Sequence, residues 1–306
     1  MSATVSFVIP AFNERQYIQG CLEAIRREAA ACGIQAEVIV VDNGSQDNTV
    51  ELARSSGARV LSIARSSVSD ARNFGAAQAR HPIIAFIDAD VEITGRWTST
   101  FLQQWEAILQ DDNTLTGHQY VVRDNPGWIE RYWFGNLHDR FLAGGNIVIS
   151  RSLFDKIGGF DATLRTGEDF DLCERAITAG ANYYEEPGYE AIHLGFPRTL
   201  TRFIKREIWH GEGDYQTLRR FLASPVAILA IVYLALHLLI LAALIMGSTS
   251  TLVQLLLALI VLNGALTWWR FRGCSPVALA CNAALNYFYF VARALSLFAV
   301  WGSKLR

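Results

Sequence analysis

The sequence predicts an α/β domain with a mainly parallel sheet, followed by a membrane-embedded tail. Up to Asp90, short apolar runs alternate with segments whose apolar residues recur at helical spacing, as they do in βαβ units. From about Ser224 onward, charged residues nearly disappear. Hydrophobic residues make up 51 % of the 306-residue chain and charged residues only 18 %, and the tail accounts for this imbalance.

The elements of the first domain follow one another in a regular order. The first strand is the apolar run Val5–Ile9, which stops at Pro10, and the fourth is Ile83–Ile87, which stops at Asp88. Gly33 ends the first predicted helix and Gly57 the second. In chain order, the predicted strands are VSFVI, AEVIVVD, ARVLSI, IIAFI, NIVIS and ANYYEEPG, and the predicted helices lie in NERQYIQGCLEAIRREAAACG, NTVELARSSG, SVSDARNFGAAQAR, SLFDKIGG and GEDFDLCERAITAG.

The tail contains three apolar stretches, 226–246, 252–269 and 277–301. Each is close to the ~20 residues that a membrane helix needs. Basic residues precede the first stretch and follow the second, which places both ends in the cytoplasm by the positive-inside rule. The third stretch carries polar residues, so that spanning the membrane and lying partly in its interface both stay open, and we expect spanning.

The domain organisation follows from these patterns. We predict a first domain at 1–198, an amphipathic interfacial linker at 199–224 that mixes basic and aromatic residues, and a membrane domain at 225–306. No signal peptide is recognisable at the N-terminus, so the first domain is expected on the cytoplasmic face of the cell membrane.

Composition argues against several other classes of protein. A formal net charge of −2 gives no reason to expect a nucleic-acid partner. The five cysteines form no C-x-x-C pair, which argues against a metal knuckle or a disulfide framework. The oligomeric state has no signal in the sequence.

Polar clusters follow three of the predicted strands. They lie at Pro10–Asn13, at Asp42–Gly44 and at Asp88–Asp90. Open α/β sheets bind ligands outside the carboxyl ends of their strands, so the three clusters predict one site. Two carboxylates spaced as Asp88 and Asp90 repel each other, and a hard divalent cation such as Mg²⁺ or Mn²⁺ would neutralise them while it holds a diphosphate.

Six motifs occur in the order found in family 2 glycosyltransferases, which this sequence resembles over about residues 4–200. They are VSFVIPAFNE, VIVVDNGSQDNT, ARNFGA, FIDADV, GGNIVISRSLFDKIGGFD and GEDFDL. The resemblance implies the GT-A fold, transfer with inversion, a UDP-sugar or another NDP-sugar as donor, and a divalent metal.

The resemblance also implies roles for individual residues. Asp90 would be the metal ligand, and His193, in AIHLGF, would complete the metal site. Asp42 would contact the base or ribose, unless it only caps the following turn. The residues matching the nucleotide-sugar site are Pro10, Ala11, Asn13, Glu14, Asp42, Gly44, Arg72, Asp88 and Ala89.

On the acceptor side, the resemblance makes Asp169 the general base and Glu168 its neighbour. A sugar hydroxyl is a poor nucleophile, so a carboxylate must take its proton during attack. Taken alone, these acids would equally suit a helix N-terminus. Gly144, Gly145 and Asn146 match the acceptor segment. By position alone, Arg206 and Trp209 are candidates for holding the acceptor at the membrane.

The expected function is sugar transfer to a hydroxyl of a lipid-linked or membrane-proximal acceptor in cell-envelope polysaccharide or glycolipid synthesis. A polyprenyl-phosphate sugar synthase is the nearest alternative, but its phosphate acceptor needs no base. A processive polymerase would need more spans. A non-catalytic nucleotide-sugar sensor and a nucleotidyltransferase are alternatives of other classes, and the second lacks a Gly-rich, Lys-containing start. The sequence does not reveal the sugar, the base or the linkage.

Overall fold

The structure is a computed structural model that describes residues 2–137 and 141–304, with side chains described up to residue 300. The chain divides into two compact units. The sheet unit comprises residues 1–124 and 138–195, and the helical unit comprises residues 125–137 and 196–306. The predicted domain boundaries remain a prediction, and the last two residues of the predicted membrane domain lie outside the described residues.

The sheet unit contains one large sheet and one small sheet. The strands are β1 (Thr4–Ala11), β2 (Gln35–Asp42), β3 (Arg59–Ser62), β4 (Ile83–Ile87), β5 (Val91–Ile93), β6 (Thr114–Gly117), β7 (Asn146–Ser150), β8 (Asn182–Glu185) and β9 (Ala191–His193). The large sheet has the order β3-β2-β1-β4-β7-β6-β8, and β5 pairs with β9 in the small one. Only the pairings of β7 with β4 and β6 are antiparallel in the large sheet, so the predicted mainly parallel α/β fold is confirmed.

Helices cover both faces of the large sheet. In the sheet unit they are α1 (Ile18–Ala31), α2 (Thr49–Ser55), α3 (Val68–Gln78), α4 (Gly95–Gln110), α6 (Arg151–Lys156) and α7 (Glu168–Thr178), and α5 (Trp128–Tyr132) belongs to the helical unit. One core packs β1 and β4 against α1 and α4 around Phe7, Trp97 and Phe101, and a second lies on the opposite face around Phe86 and Phe154. Burial on both faces explains why these strands are continuous apolar runs.

The strand register brings the three predicted polar clusters to one edge. Ala11, the last residue of β1, pairs with Asp42, the last residue of β2. β4 is parallel to β1 and ends immediately before Asp88. All three chains therefore leave the sheet at its carboxyl edge, where ligands of open α/β sheets bind.

The helical unit contains the apolar tail and its amphipathic approach. After α5, its helices are α8 (Leu200–Gly211), α9 (Leu218–Ala223), α10 (Pro225–Ile245), α11 (Thr249–Phe271) and α12 (Pro276–Lys304), with short 3₁₀ turns at Phe134–Asn136 and Glu212–Tyr215. By length and composition, α10, α11 and α12 are each long and apolar enough to cross a membrane. Ser224 caps α10 by accepting from the N–H of Ala227, and Pro225 starts the helix without needing a donor.

Candidate active site

Asp88 is the carboxylate at the end of β4, and its two oxygens have different partners. Its Oδ1 accepts a hydrogen bond from Arg72 at 2.7 Å, and its Oδ2 accepts one from the Tyr120 hydroxyl at 2.8 Å. Burial alone would raise the pKa of Asp88, but the charge and hydrogen bond of Arg72, helped by Tyr120, hold that pKa below its usual range. Asp88 is therefore held ionised and in one orientation.

Arg72 joins the end of β4 to the start of α7. It sits on α3, which begins at a capping box between Ser67 and Asp70. Nη2 of Arg72 donates to Asp88, and Nη1 donates to Oε1 of Glu168 at 2.8 Å. The Arg72 side chain is only 3 % exposed. A buried cation with two carboxylate partners is well compensated, whereas either carboxylate left alone would be costly.

Asp169 lies beside this bridge and is held by backbone donors. Its Oδ2 accepts from the N–H of Gly144 at 3.2 Å and its Oδ1 from the N–H of Phe170 at 2.9 Å. Burial, and then the neighbouring charge of Glu168, raise the pKa of Asp169 to about 6. A carboxylate with this pKa is ionised at neutral pH and still basic enough to accept a proton in a reaction.

Gly144 and Gly145 form a close contact with the acidic residues. A β-carbon on Gly145 would overlap the carboxylate of Asp88, and one on Gly144 would lie 3.2 Å from Cβ of Asp169. The N–H of Gly145 also donates to the Tyr120 hydroxyl at 2.8 Å. The pair of glycines therefore lies between the β4 carboxylate and the α7 carboxylate, and a side chain at Gly145 would displace Asp88.

Asp90 and His193 approach each other where β5 and β9 pair. The distance from His193 Nε2 to Asp90 Oδ2 is 3.7 Å. The small sheet positions both residues, because Val91, next to Asp90, is the register partner of His193. A β-carbon on Gly195 would overlap the Asp90 carboxylate, so this position also requires glycine.

The charge balance around Glu14 suits a bound cation. Burial, followed by the negative charges of Asp90, Asp88 and Asp47, raises the pKa of Glu14 to about 7. Among the described residues there is no group of three or more His, Cys, Asp or Glu side chains arranged around a metal position. The Asp90 carboxylate, the His193 imidazole and the other acidic groups near Glu14 fit an ion such as Mg²⁺ or Mn²⁺. Such an ion takes few protein ligands and completes its shell with water and phosphate.

The loops after β1 and β2 are joined to each other by side-chain hydrogen bonds. Asn13 has a positive φ of 58°, and its Oδ1 accepts from the N–H of Gln46 at 2.8 Å. The Oδ1 of Asp42 accepts from the N–H of Ser45 at 3.0 Å, so Asp42 does cap the following turn. Gly44 has a φ of +80°, a left-handed conformation that favours glycine. Of the other predicted donor residues, Pro10 and Ala11 end β1, and Ala89 is buried between the two aspartates.

Three further residues were predicted to contact the sugar acceptor, and their side chains have the following surroundings. Asn146 is fully buried, with its amide bonded to Trp97 Nε1 and to the carbonyls of His118 and Tyr189, so its side chain serves the core and we leave it out of the proposed site. In the helical unit, Arg206 donates to Glu207 at 2.7 Å, and Trp209 is 48 % exposed. Arg206 and Trp209 remain predictions.

Tyr120 and Gly195 were not identified from the sequence. Tyr120 contacts Asp88 across 32 positions of the chain, and no local pattern marks that contact. The only available signal for Gly195 was its place directly after His193 and Leu194, where a glycine follows a short strand.

Comparison with known proteins identifies the family. The profile described as "Glycosyl transferase family 2" matches residues 6–167, more than half of the chain, and this match ends one residue before Glu168. The chain belongs to glycosyl transferase family 2, and it is a glycosyltransferase of polysaccharide or glycoconjugate biosynthesis.

Two curated relatives and one solved structure illustrate the similarity. Glycosyltransferase AglE of Haloferax volcanii is 28 % identical over 247 residues, which cover 74 % of this chain and 80 % of AglE. Succinoglycan biosynthesis protein ExoU of Rhizobium meliloti is 29 % identical over 221 residues, which cover 62 % of each chain. The fold is shared with the mannosyltransferase PcManGT from Pyrobaculum calidifontis, solved in complex with GDP-Man and Mn²⁺, at a TM-score of 0.64 and 17 % identity over 97 % of this chain and 88 % of that one.

Proposed function

We propose that this protein is a metal-dependent, inverting glycosyltransferase. It would move a sugar from a nucleoside-diphosphate sugar, with UDP as the expected nucleotide, to a hydroxyl of a lipid-linked or membrane-proximal acceptor. The observation that carries the proposal is the bridge made by Arg72, which donates to Asp88 at 2.7 Å and to Glu168 at 2.8 Å. Through it, the acidic end of β4 and the carboxylates that begin α7 adjoin one another.

The donor would lie over the carboxyl edge of the sheet. The proposed donor contacts are Pro10, Ala11, Asn13, Glu14, Asp42, Gly44, Arg72, Asp88 and Ala89. Asp88 is ionised and fixed on both oxygens, which suits a hydrogen-bond acceptor for ribose hydroxyls. PcManGT, which shares the fold, is solved with a nucleotide sugar and Mn²⁺, and this supports the same ligand classes here.

A divalent cation would be held by Asp90, with His193 as the second protein ligand. When bound, such an ion neutralises the charge that develops on a departing diphosphate. Asp90 Oδ2 lies 3.7 Å from Nε2 of His193, so Asp90 is the aspartate that could share an ion with this imidazole. The closely packed Gly195 keeps the Asp90 carboxylate where it faces His193.

Asp169 would take the proton of the acceptor hydroxyl. Its pKa of about 6 keeps it ionised at pH 7, and its two backbone hydrogen bonds fix its orientation. Glu168 is ion-paired with Arg72 at 2.8 Å and therefore positions the base more than it acts as one. Attack opposite the departing diphosphate would invert the configuration at the anomeric carbon.

A membrane-bound acceptor is favoured by the helical unit. Three of its helices are long and apolar enough to cross a membrane, and α8 carries Arg202, Lys205 and Trp209 on its exposed side. A cationic and aromatic helix of this kind suits the lipid headgroup layer. The positive-inside rule favours the cytoplasmic side of the cell membrane for these residues.

A donor screen followed by product analysis tests the proposal. Purified protein in detergent with Mn²⁺ would be given a panel of NDP-sugars, first alone and then with membrane extracts that contain lipid-linked oligosaccharides. We expect one donor to be hydrolysed slowly alone and to transfer its sugar to lipid with the opposite anomeric configuration. Retained configuration, or transfer to soluble acceptors only, would contradict the inverting or the lipid part of the proposal.

A further inference from the structure

Tyr120 lies outside the residues to which the family resemblance gives a role, and it closes a ring of hydrogen bonds in the sheet unit. Its hydroxyl donates to Oδ2 of Asp88 at 2.8 Å and accepts from the N–H of Gly145 at 2.8 Å. On the other side of the ring, Arg72 joins Asp88 to Glu168. The ring is completed where Gly144, next to Gly145, donates to Asp169.

The surroundings of Tyr120 leave its hydroxyl little freedom. Its ring packs edge-on against His193, with 4.7 Å between the ring centroids. The Gly145 backbone approaches so closely that a β-carbon there would lie 2.5 Å from the hydroxyl oxygen. The oxygen has both a donor and an acceptor partner, so loss of the Tyr120 hydroxyl removes one hydrogen bond from Oδ2 of Asp88 and one from the N–H of Gly145.

We propose that Tyr120 is a positioning residue that orients the Asp88 carboxylate for the nucleotide. The inference rests on the proposed function, because it needs Asp88 to contact the donor. Arg72 fixes only one oxygen of Asp88, and rotation about that contact is prevented by the hydroxyl of Tyr120. The same hydroxyl holds the backbone of Gly145, whose neighbour Gly144 holds the base, so the donor and acceptor sides share one fixed frame.

Nucleotide binding by Tyr120→Phe tests this role. The variant keeps the ring packed against His193 and removes only the hydroxyl. Full-length wild-type and variant protein would be titrated calorimetrically with UDP, GDP, ADP and dTDP in the presence of Mn²⁺. We expect the Kd of the preferred diphosphate to rise about tenfold, the effect of losing a hydrogen bond to a charged group.

Tyr189→Phe is the matched control. Tyr189 is fully buried, and its hydroxyl donates to Gln104 at 3.1 Å within the core. Both variants should melt at lower temperature than wild type, but only Tyr120→Phe should bind nucleotide more weakly. Equal Kd values for Tyr120→Phe and wild type would overturn the positioning role alone. Absence of binding by wild type would overturn the proposed donor chemistry together with it.

A separate observation concerns the direction of α12 in the helical unit. The hairpin of α10 and α11 is antiparallel, with Tyr233 donating to Asn263 at 2.9 Å, so the start of α10 and the end of α11 lie on one side of a membrane that the hairpin crosses. α12 begins five residues after the end of α11. A third span would therefore carry its C-terminal half to the opposite side.

The contacts of Arg293 lie instead on the side of the membrane where α10 starts and α11 ends. Arg293 lies in the second half of α12, and its guanidinium pairs with Glu207 at 3.2 Å and with Asp214 at 3.6 Å. Next to Asp214, the hydroxyl of Tyr215 donates to the carbonyl of Ala227 in the first turn of α10 at 3.4 Å. Arg293 is thus level with the beginning of α10.

Other contacts of α12 show in which direction its second half runs relative to α10. Ser296 donates to the carbonyl of Ile208 at 2.8 Å, so the second half of α12 lies alongside α8. Along α10, Tyr233 stacks on Phe290 at 4.7 Å, and His237 is bonded to Tyr287 at 2.9 Å. Between Tyr287 and Ser296, α12 therefore runs toward the start of α10, whereas a third span would run in the same direction as the first there.

We infer that only α10 and α11 cross the membrane and that the second half of α12 lies against α8 on the cytoplasmic side. Reporter fusions to the full chain in bacterial cells test this topology. Green fluorescent protein after Arg306 should fluoresce and alkaline phosphatase there should be inactive, while phosphatase inserted at Gly247, between α10 and α11, should be active. Active phosphatase after Arg306, or inactive phosphatase at Gly247, would overturn the inference.

Discussion

Gly195 lies directly against the carboxylate of Asp90. A β-carbon on Gly195 would overlap Oδ2 of Asp90 and would lie 3.0 Å from Cε1 of His193. The backbone of Gly195 is in contact with the side chain of Asp90. A methyl group at position 195 would therefore change the distance of 3.7 Å between Asp90 Oδ2 and His193 Nε2.

Gly195→Ala should therefore displace Asp90 and weaken metal-dependent turnover. We expect the Mn²⁺ concentration for half-maximal donor hydrolysis to rise by about tenfold or more, since metal ligands tolerate only small displacements. Gly264→Ala is the control, because a β-carbon there meets no atom within 4 Å. An unchanged Mn²⁺ requirement in Gly195→Ala would argue against Asp90 as the ligand.

The pH dependence of transfer should report on Asp169. A base must be ionised to accept a proton, so kcat/KM should fall as pH decreases through about 6, the pKa that burial and Glu168 give to Asp169. Asp169→Asn should lower kcat by roughly 10²–10⁴-fold and remove this acidic limb. Near-normal activity of Asp169→Asn would favour a phosphate acceptor, which needs no base, and hence a polyprenyl-phosphate sugar synthase.

The sequence predicts the first half of the fold better than the second. β1 and β4 are almost entirely apolar because they are buried on both faces, and glycines follow the helices α1 and α2. β5 and β9 have three residues each, and β6 has four, and strands so short depend on distant partners that no local pattern reveals.

In the site, too, residues marked by a local pattern can be predicted, and contacts between distant residues cannot. Asp88 and Asp90 are recognisable because a strand ends at them, whereas the link from Arg72 to Glu168 joins residues 96 positions apart. Asn146 follows two glycines that adjoin the acidic residues, and the family resemblance placed all three in the acceptor segment. Its side chain points into the core, where it bonds to Trp97.

Arg72→Lys should destabilise the sheet unit and lower activity. The guanidinium reaches the two carboxylates with two different nitrogens, whereas lysine has a single nitrogen on a chain of different length, so one of the two carboxylates should lose its buried partner. Breaking a buried ion pair costs roughly 3–5 kcal/mol, which should lower the melting temperature in detergent by several degrees. Arg59→Lys, at the half-exposed pair with Glu37, is the control and should melt close to wild type. Equal melting temperatures for the two variants would show that the bridge contributes little.

Removal of the metal should stop turnover reversibly. Chelation with EDTA should abolish donor hydrolysis, and added Mn²⁺ should restore it, because the departing diphosphate then lacks charge neutralisation. Asp90→Asn should need more Mn²⁺ for the same rate, while Asp155→Asn, at an exposed acid of α6, should behave as wild type. Full activity in EDTA would contradict the proposed metal dependence.

Metal binding should also release a proton from Glu14. Burial and the charges of Asp90, Asp88 and Asp47 raise the pKa of Glu14 to about 7, so this residue is partly protonated at neutral pH. A cation bound at Asp90 opposes those negative charges and lowers the pKa of Glu14, so its proton leaves as the metal binds. Calorimetric titration with Mn²⁺ at pH 7, in buffers of different ionisation enthalpy, measures this release. Glu14→Gln cannot lose a proton at this position and should reduce the number released, whereas an equal number in wild type and variant would show that Glu14 does not respond to the metal.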